Sequence, residues 1–325
     1  MTIPNKVFLA GATGLAGTHL MYYILDMYPE IHIKAAYNRT PPFMEHERVH
    51  YVQADLQDRS TDYGALLKGC SWAILAAAST GGAGTAQSSP QRQMTDNLVM
   101  DALMLEGLYS AGVKRIIYLS SATVYQAFDG YIKENQLDFN EEPHYSYLGV
   151  GWAKRSAEKL CRFWHEKYGL EIIIVRCANI YGPYAKFDPQ KSNFIPALIR
   201  KAVSKMDPFE VWGSPDVARD VIYAEDFAEA VILLLFQENI KFDIFNLGYG
   251  DIVTVGEVVD AALLAANHKP NGVKYSENAP QTIGFRALDC QKIKLATNWK
   301  ARHNIMEGIK KTTLWWEQNM ETWTR

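Results

Sequence analysis

Short apolar runs alternate with stretches of helical periodicity over the first half of the chain. Lys6 to Ala10 (KVFLA) is an apolar run that opens into a glycine turn, and Leu15 to Met27 then follows a helical period. Ile31 to Tyr37 and Val49 to Gln53 read as a second and a third strand. Ser71 to Ala78 (SWAILAAA) reads as a fourth, running into a Gly/Ser/Ala-rich loop from Ser79 to Ser89. Asn97 to Ser110 is predicted helical, Arg115 to Leu119 (RIIYL) a fifth strand, Gly151 to Tyr168 a long amphipathic helix, and Glu171 to Arg176 (EIIIVR) a sixth strand. Continuous β-branched runs between helices mean strands buried on both faces, hence a parallel sheet. The alternation predicts an α/β chain built on a doubly wound parallel sheet.

The pattern changes near Tyr181. YGPYAKFDPQKSNFIP carries Pro and Gly and few strand runs, and a helix is expected from Ala197 to Lys205. Asp243 to Leu247 (DIFNL) reads as one more sheet strand. The end of the chain is helical and rich in tryptophan (Trp299, Trp315, Trp316, Trp323), a cluster read as the core of a small C-terminal subdomain.

Composition narrows the class. The chain has 325 residues, 48% hydrophobic and 21% charged, with 33 Lys+Arg against 36 Asp+Glu and a net charge of −3. That suits a folded globular chain and offers no basic excess for nucleic acid or an anionic membrane surface. The longest apolar stretches, such as Ala230 to Phe236, are far shorter than the roughly 20 residues that span a bilayer. The N-terminal segment lacks the layout of a signal peptide. Cys70, Cys161, Cys177 and Cys290 stand far apart, so reduced thiols and a cytoplasmic location are expected. The histidines show no ligand spacing, and no metal is expected.

The turn after the first strand reads GATGLAG, Gly11 to Gly17. Glycines are needed where the chain turns tightly and where backbone approaches a pyrophosphate, and the following helix offers free N–H groups to that anion. Following a strand and opening a helix, Gly11, Thr13, Gly14, Leu15 and Gly17 point to a dinucleotide. The second strand ends in Asn38-Arg39 rather than an acidic residue. A guanidinium pairs with a 2′-phosphate, so Arg39 favours NADP, with NAD as the alternative. Asp55 and Leu56 after the third strand are assigned to the adenine.

Several further motifs resemble the extended short-chain dehydrogenase/reductases of the NAD-dependent epimerase/dehydratase group, which act on nucleotide-activated sugars. They are GATGLAG, Ala76 to Ala78, Asn97, LSSATVY (Leu119 to Tyr125), Lys154 in GWAKRSAEKL, RCANIYGPY (Arg176 to Tyr184), Arg219 to Tyr223 with Asp226, and FNLGYG (Phe245 to Gly250). The resemblance covers nearly the whole chain. It is strongest to the GDP-L-fucose synthase branch through SNFIPALIRKA (Ser192 to Ala202), EVWGSP (Glu210 to Pro215) and the Gly81-Gly82 loop, and it extends to nucleotide-sugar 4-epimerases. It implies a Rossmann-type cofactor unit over residues 1–180 with a return at about 221–250, and a smaller substrate subdomain from 181–220 and 251–325. It also implies cofactor contacts from Ala76, Ala77, Ala78, Asn97, Lys154, Cys177 and Asn179, and a homodimer paired through the helices near Asn97 to Ser110 and Gly151 to Tyr168.

In such enzymes a Ser, a Tyr and a Lys form the catalytic set. Ser121 matches the Ser and Lys154 the Lys, but the Tyr position, four residues before Lys154, holds Val150. Valine cannot exchange a proton. Three readings stand: the phenol has been replaced, its role has moved to Tyr147, Tyr145 or a water, or the chemistry has gone and the cofactor fold remains. Thr123 and Asn193 fill the positions where the fucose synthases carry a Cys and a His for 3,5-epimerisation, and neither titrates near neutral pH. Ala122 and Thr123 follow Ser121 where 4,6-dehydratases carry an acidic pair. What remains is hydride chemistry at sugar C4, as a 4-ketoreductase or a 4-epimerase on a GDP- or UDP-hexose, against a silent cofactor- or sugar-nucleotide-binding protein. Substrate contacts are expected from Gly81, Gly82, Ser121, Thr123, Asn179, Asn193, Phe194, Arg200, Trp212, Arg219 and Arg286. Arg219 is the leading cation for the diphosphate.

Overall fold

The computed structural model describes residues 4–80, 90–276 and 286–323. Seven strands form one all-parallel sheet in the order Phe242–Leu247, Glu171–Cys177, Arg115–Ser121, Trp72–Leu75, Lys6–Ala10, His32–Tyr37, Val49–Gln53. The doubly wound fold is therefore present. Strand order reverses at Lys6–Ala10, whose next strand in sequence lies on one side and Trp72–Leu75 on the other. That reversal opens a crevice at the carboxyl ends of the strands.

Strand side chains alternate between two buried layers. Val7, Leu9, Ile33, Ile74, Ile117, Ile173, Val175 and Phe245 point to one face, which helices Leu15–Met27 and Ala224–Leu235 cover. Phe8, Ala10, Ala36, Ala73, Leu75, Ile116, Ile172 and Ile174 point to the other, covered by helices Pro90–Ser110 and Leu148–Tyr168. Both faces being dry is why these strands read as unbroken apolar runs. A third core joins helices Phe194–Val203, Val255–Ala265 and Ile305–Asn319 with short strands such as Phe209–Trp212 and Val221–Tyr223. Trp316 stacks on Phe187 there with ring centroids 4.1 Å apart, while Trp299 is buried in the first core.

Several boundaries differ from those expected, among them that of the helix expected from Asn97, which runs Pro90–Ser110. The strand at Ser71 to Ala78 is only Trp72–Leu75, because Ala76 to Ala78 already belong to the crevice edge. The helix expected from Ala197 runs Phe194–Val203, and Lys205 beyond it has φ +56°. The helix expected from Gly151 starts at Leu148, which makes Tyr147 its N-cap residue. This last shift of one turn bears on the site.

Candidate active site

The glycine turn is built by close packing. Gly11 has φ +74°, and a Cβ on it would lie 2.7 Å from the Ala77 backbone. A Cβ on Gly17 would come within 2.2 Å of the Gly11 carbonyl oxygen. Only glycine lets the helix start press this tightly on the strand end. Helix Leu15–Met27 follows N-cap Gly14 and has no side-chain cap, so its first N–H groups face the crevice without a built-in acceptor. This cradle fits a dinucleotide pyrophosphate. Thr13 Oγ1 donates to the Thr40 carbonyl at 3.1 Å, and Gln53 Nε2 to that of Asn38 at 3.0 Å, which fixes the loop carrying exposed Arg39. Asp55 is exposed at the end of the third strand, and Leu56 is buried beneath it. Asn97 is fully engaged with main chain. Its Oδ1 accepts from Ser79 N–H at 2.8 Å, and its Nδ2 donates to the Ser79 and Gln93 carbonyls. Its visible work is to shape the loop after Trp72–Leu75.

A second opening lies at the ends of the neighbouring strands. Among the described residues it is lined by Ser121, Ala122, Thr123, Tyr147, Cys177, Ala178, Asn179, Arg219, Asp220 and Arg286 with its neighbours Ala287 and Leu288. Strand Arg115–Ser121 ends in a 3₁₀ turn over Ala122–Val124, where Ser121 Oγ accepts from the Thr123 N–H at 3.2 Å. Thr123 Oγ1 is buried in this turn without a hydrogen-bond partner. Helix Leu148–Tyr168 lies directly against it: a Cβ on Gly151 would stand 2.6 Å from the Thr123 carbonyl oxygen, and Arg155 Nε donates to the Val124 carbonyl at 2.6 Å. The N-cap of that helix, Tyr147, thereby enters the same opening as Ser121 and Thr123. Tyr145 is 88% exposed and Val150 is half-buried, and neither lines the opening.

The opening is cationic. Arg286 is buried, with its guanidinium carbon 5.2 Å from the Phe128 ring centre and 5.8 Å from that of Tyr147, and its Nη2 has no partner. Burial pulls its pKa down to about 10, and the neighbouring Arg219 adds to this, while the Tyr147 phenol opposes it. Arg219 is also lowered by burial, and its Nη1 donates to the Ala218 carbonyl at 2.7 Å. His144 is held down by burial and by both guanidiniums. Asp220 is the carboxylate of the lining. Burial pushes it up to about 7, against the N–H groups of Leu288, Tyr249 and Gly250 that donate to it. Those bonds tie the Arg286 strand, Arg286–Leu288, to the loop after Leu247. A Cβ on Gly248 would fall 2.2 Å from the Asp220 carboxylate, so this clamp needs glycine there. The Cys177 thiol is pushed to about 12 by burial.

Lys154 does not line the opening. Its ammonium lies just behind the floor, donating to the Tyr118 phenol oxygen at 2.9 Å and the Leu119 carbonyl at 3.1 Å, with Asp101 at 3.6 Å. Asn193, Phe194, Arg200 and Trp212 stand outside the described lining. Asn193 is an exposed N-cap, Phe194 packs on the third core, Arg200 Nε is buried without a partner, and Trp212 is 69% exposed. Gly81 and Gly82 lie outside the described residues. Sequence reasoning missed Asp101, Tyr118, Gly151 and Asp220. Asp101 follows Asn97 by four residues on one helix, and Tyr118 breaks an aliphatic strand, so each left a signal.

Among the described residues no group of three or more His, Cys, Asp or Glu is placed to hold a metal, and no helix is long and apolar enough to cross a membrane. The four cysteines are buried free thiols.

Comparison with known proteins agrees with this geometry. GDP-L-fucose synthase of Sinorhizobium fredii (strain NBRC 101917 / NGR234) is 27% identical over 245 residues, 74% of this chain and 76% of that protein. A probable GDP-L-fucose synthase 1 of Oryza sativa subsp. japonica is 26% identical over 324 residues, 97% of this chain and 93% of that one. The crystal structure of UDP-glucose 4-epimerase with UDP-glucose from Thermotoga maritima superposes with a TM-score of 0.84 at 19% identity, over 97% of this chain and 99% of that one, and so shares the fold. The sequence model of the NAD dependent epimerase/dehydratase family matches residues 7–248, and the chain belongs to that family.

Proposed function

We propose that the chain is a nucleotide-sugar 4-epimerase or 4-ketoreductase in which Tyr147, rather than a residue at position 150, carries the proton at the sugar C4 oxygen. One observation supports this above the others: Ser121, Thr123 and Tyr147 line a single opening flanked by Arg219 and Arg286. A bound nicotinamide supplies the acceptor and donor of the C4 hydride. The Ser121 hydroxyl hydrogen-bonds the reacting oxygen, the Tyr147 phenol exchanges its proton, and the unpartnered Thr123 hydroxyl offers a second contact. The guanidiniums of Arg219 and Arg286 take the diphosphate, for which fork-shaped donors are suited. Exposed Arg39 favours NADP over NAD. A cytoplasmic homodimer accompanies this reading, paired through the exposed apolar residues Val99, Tyr109, Phe163 and Tyr168 of helices Pro90–Ser110 and Leu148–Tyr168. A monomer mass in solution would contradict that pairing.

A second reading is a protein that binds the cofactor and sugar nucleotide without turnover. The apolar Val150 and the inward Lys154 favour it. Two variants separate the readings. Tyr147→Phe is expected to lower turnover by about 10²–10⁴ with substrate affinity retained, and Val150→Tyr to change it little. A large gain in Val150→Tyr with no loss in Tyr147→Phe would overturn the assignment of Tyr147. Sugar-nucleotide binding with no turnover in any variant would establish the silent reading instead.

A further inference from the structure

Behind the floor of the opening, three side chains from three elements meet in a dry chamber. Tyr118 from strand Arg115–Ser121 donates its phenol proton to Asp101 Oδ2 at 2.6 Å, and Asp101 comes from helix Pro90–Ser110. The phenol oxygen in turn accepts from Lys154 Nζ at 2.9 Å. Lys154, Asp101 and Tyr118 are all buried. The ammonium donates to Tyr118 and to the Leu119 carbonyl, and the Asp101 carboxylate stands 3.6 Å from it.

We propose that Asp101 is a positioning residue: through Tyr118 it serves as an internal counter-ion that holds the Lys154 ammonium at the carboxyl end of strand Arg115–Ser121, ready for the cofactor ribose. The proposal rests on the expectation, implied by the family resemblance, that Lys154 contacts the bound cofactor. A buried ammonium needs an anion or a strong acceptor nearby. Position 150 lies four residues before Lys154 on the same helix, and Val150 has no hydrogen-bonding side-chain group to offer. The other groups near the chamber do not replace Asp101. Glu158 is held by Arg176 and by the Ser120 hydroxyl. The Cys161 and Cys177 thiols are both driven up by burial and stay neutral. Burial pushes the Asp101 carboxyl up as well, and Lys154 and Tyr118 oppose this. Lys154 and Asp101 therefore depend on each other.

The test is a double-mutant cycle read by NADPH and NADH binding to the full chain, with no turnover required. Lys154→Met is expected to weaken binding about tenfold, and Asp101→Asn about fivefold, within the coupling range of contacting residues. In the Lys154→Met background, Asp101→Asn should weaken binding no further, and Asp101→Glu in the parent chain should restore part of the loss. Equal weakening by Asp101→Asn in both backgrounds, or none in either, overturns the inference while leaving Lys154 at the cofactor. Unchanged binding in Lys154→Met removes Lys154 from the cofactor, and the inference falls with that part of the functional reading. Tyr118→Phe keeps the ring and removes the relay oxygen. It provides the same cycle should Asp101→Asn fail to fold, with additivity again the contradicting result.

Discussion

Two adjoining regions at the ends of the same strands are built on opposite principles. In the inner chamber, nearly every charge has a partner: Glu158 grips Arg176 at 2.7 Å, and Asp101 faces Lys154 through Tyr118. In the outer opening, Arg286 Nη2 and Thr123 Oγ1 are buried without partners, and Arg219 and Arg286 line the same opening as Tyr147. An interior that satisfies its own groups holds a shape. A surface that leaves donors unsatisfied is prepared for an anion that brings acceptors. The contrast suggests that stability resides in the chamber and recognition in the opening.

Substitutions on the two sides should therefore differ in sign. The largest effect is expected in the chamber. Glu158→Gln leaves the Arg176 charge buried and is expected to lower unfolding free energy by about 3–5 kcal/mol, measured by denaturant titration. In the opening, Arg286→Met is expected to weaken nucleotide-sugar binding by about 1.5–3 kcal/mol, the worth of a charge-assisted hydrogen bond, as read by calorimetry. The same variant should leave stability unchanged or raise it by about 1 kcal/mol, because an unpartnered buried donor is removed. A stability loss as large as that of Glu158→Gln would erase the distinction between the regions.

The smallest effect concerns pH. Asp220 has its carboxyl raised to about 7 by burial, beside Arg219 and Arg286. As pH falls through that value it takes up a proton and loses its negative charge, so the opening becomes more positive. Affinity for a nucleotide diphosphate should rise a few-fold from pH 8 to pH 6, on the order of 1 kcal/mol or less at this dielectric. Asp220→Asn should flatten that slope. A slope of the opposite sign would mean that another group controls the charge.

The sheet was legible because strands buried on both faces leave continuous apolar runs. Lys6–Ala10, Val49–Gln53 and helix Leu15–Met27 lie where the pattern predicted them. Helix Ala224–Leu235 was harder to see: it is buried on nearly all sides and ends in the continuous apolar run Ala230 to Leu235, a pattern that helix and strand share. Within the site, GATGLAG announced the cofactor cradle and Val150 announced the missing phenol. Where Tyr147 points was not legible, since it depends on the helix starting at Leu148 and on Gly151 packing against Thr123. The pairing of Lys154 with Asp101 was not legible either, because it is made by helices that meet only once the sheet has formed.

The central claim is that the opening still performs hydride chemistry although position 150 carries no phenol. The most direct measurement is a single-turnover absorbance record at the reduced-nicotinamide band, with the cofactor-loaded chain mixed with GDP- and UDP-hexoses and their 4-keto forms. The account expects a substrate-dependent change for at least one of them, slowed by about 10²–10⁴ in Tyr147→Phe. A band that never moves while the sugar nucleotide binds tightly would contradict it.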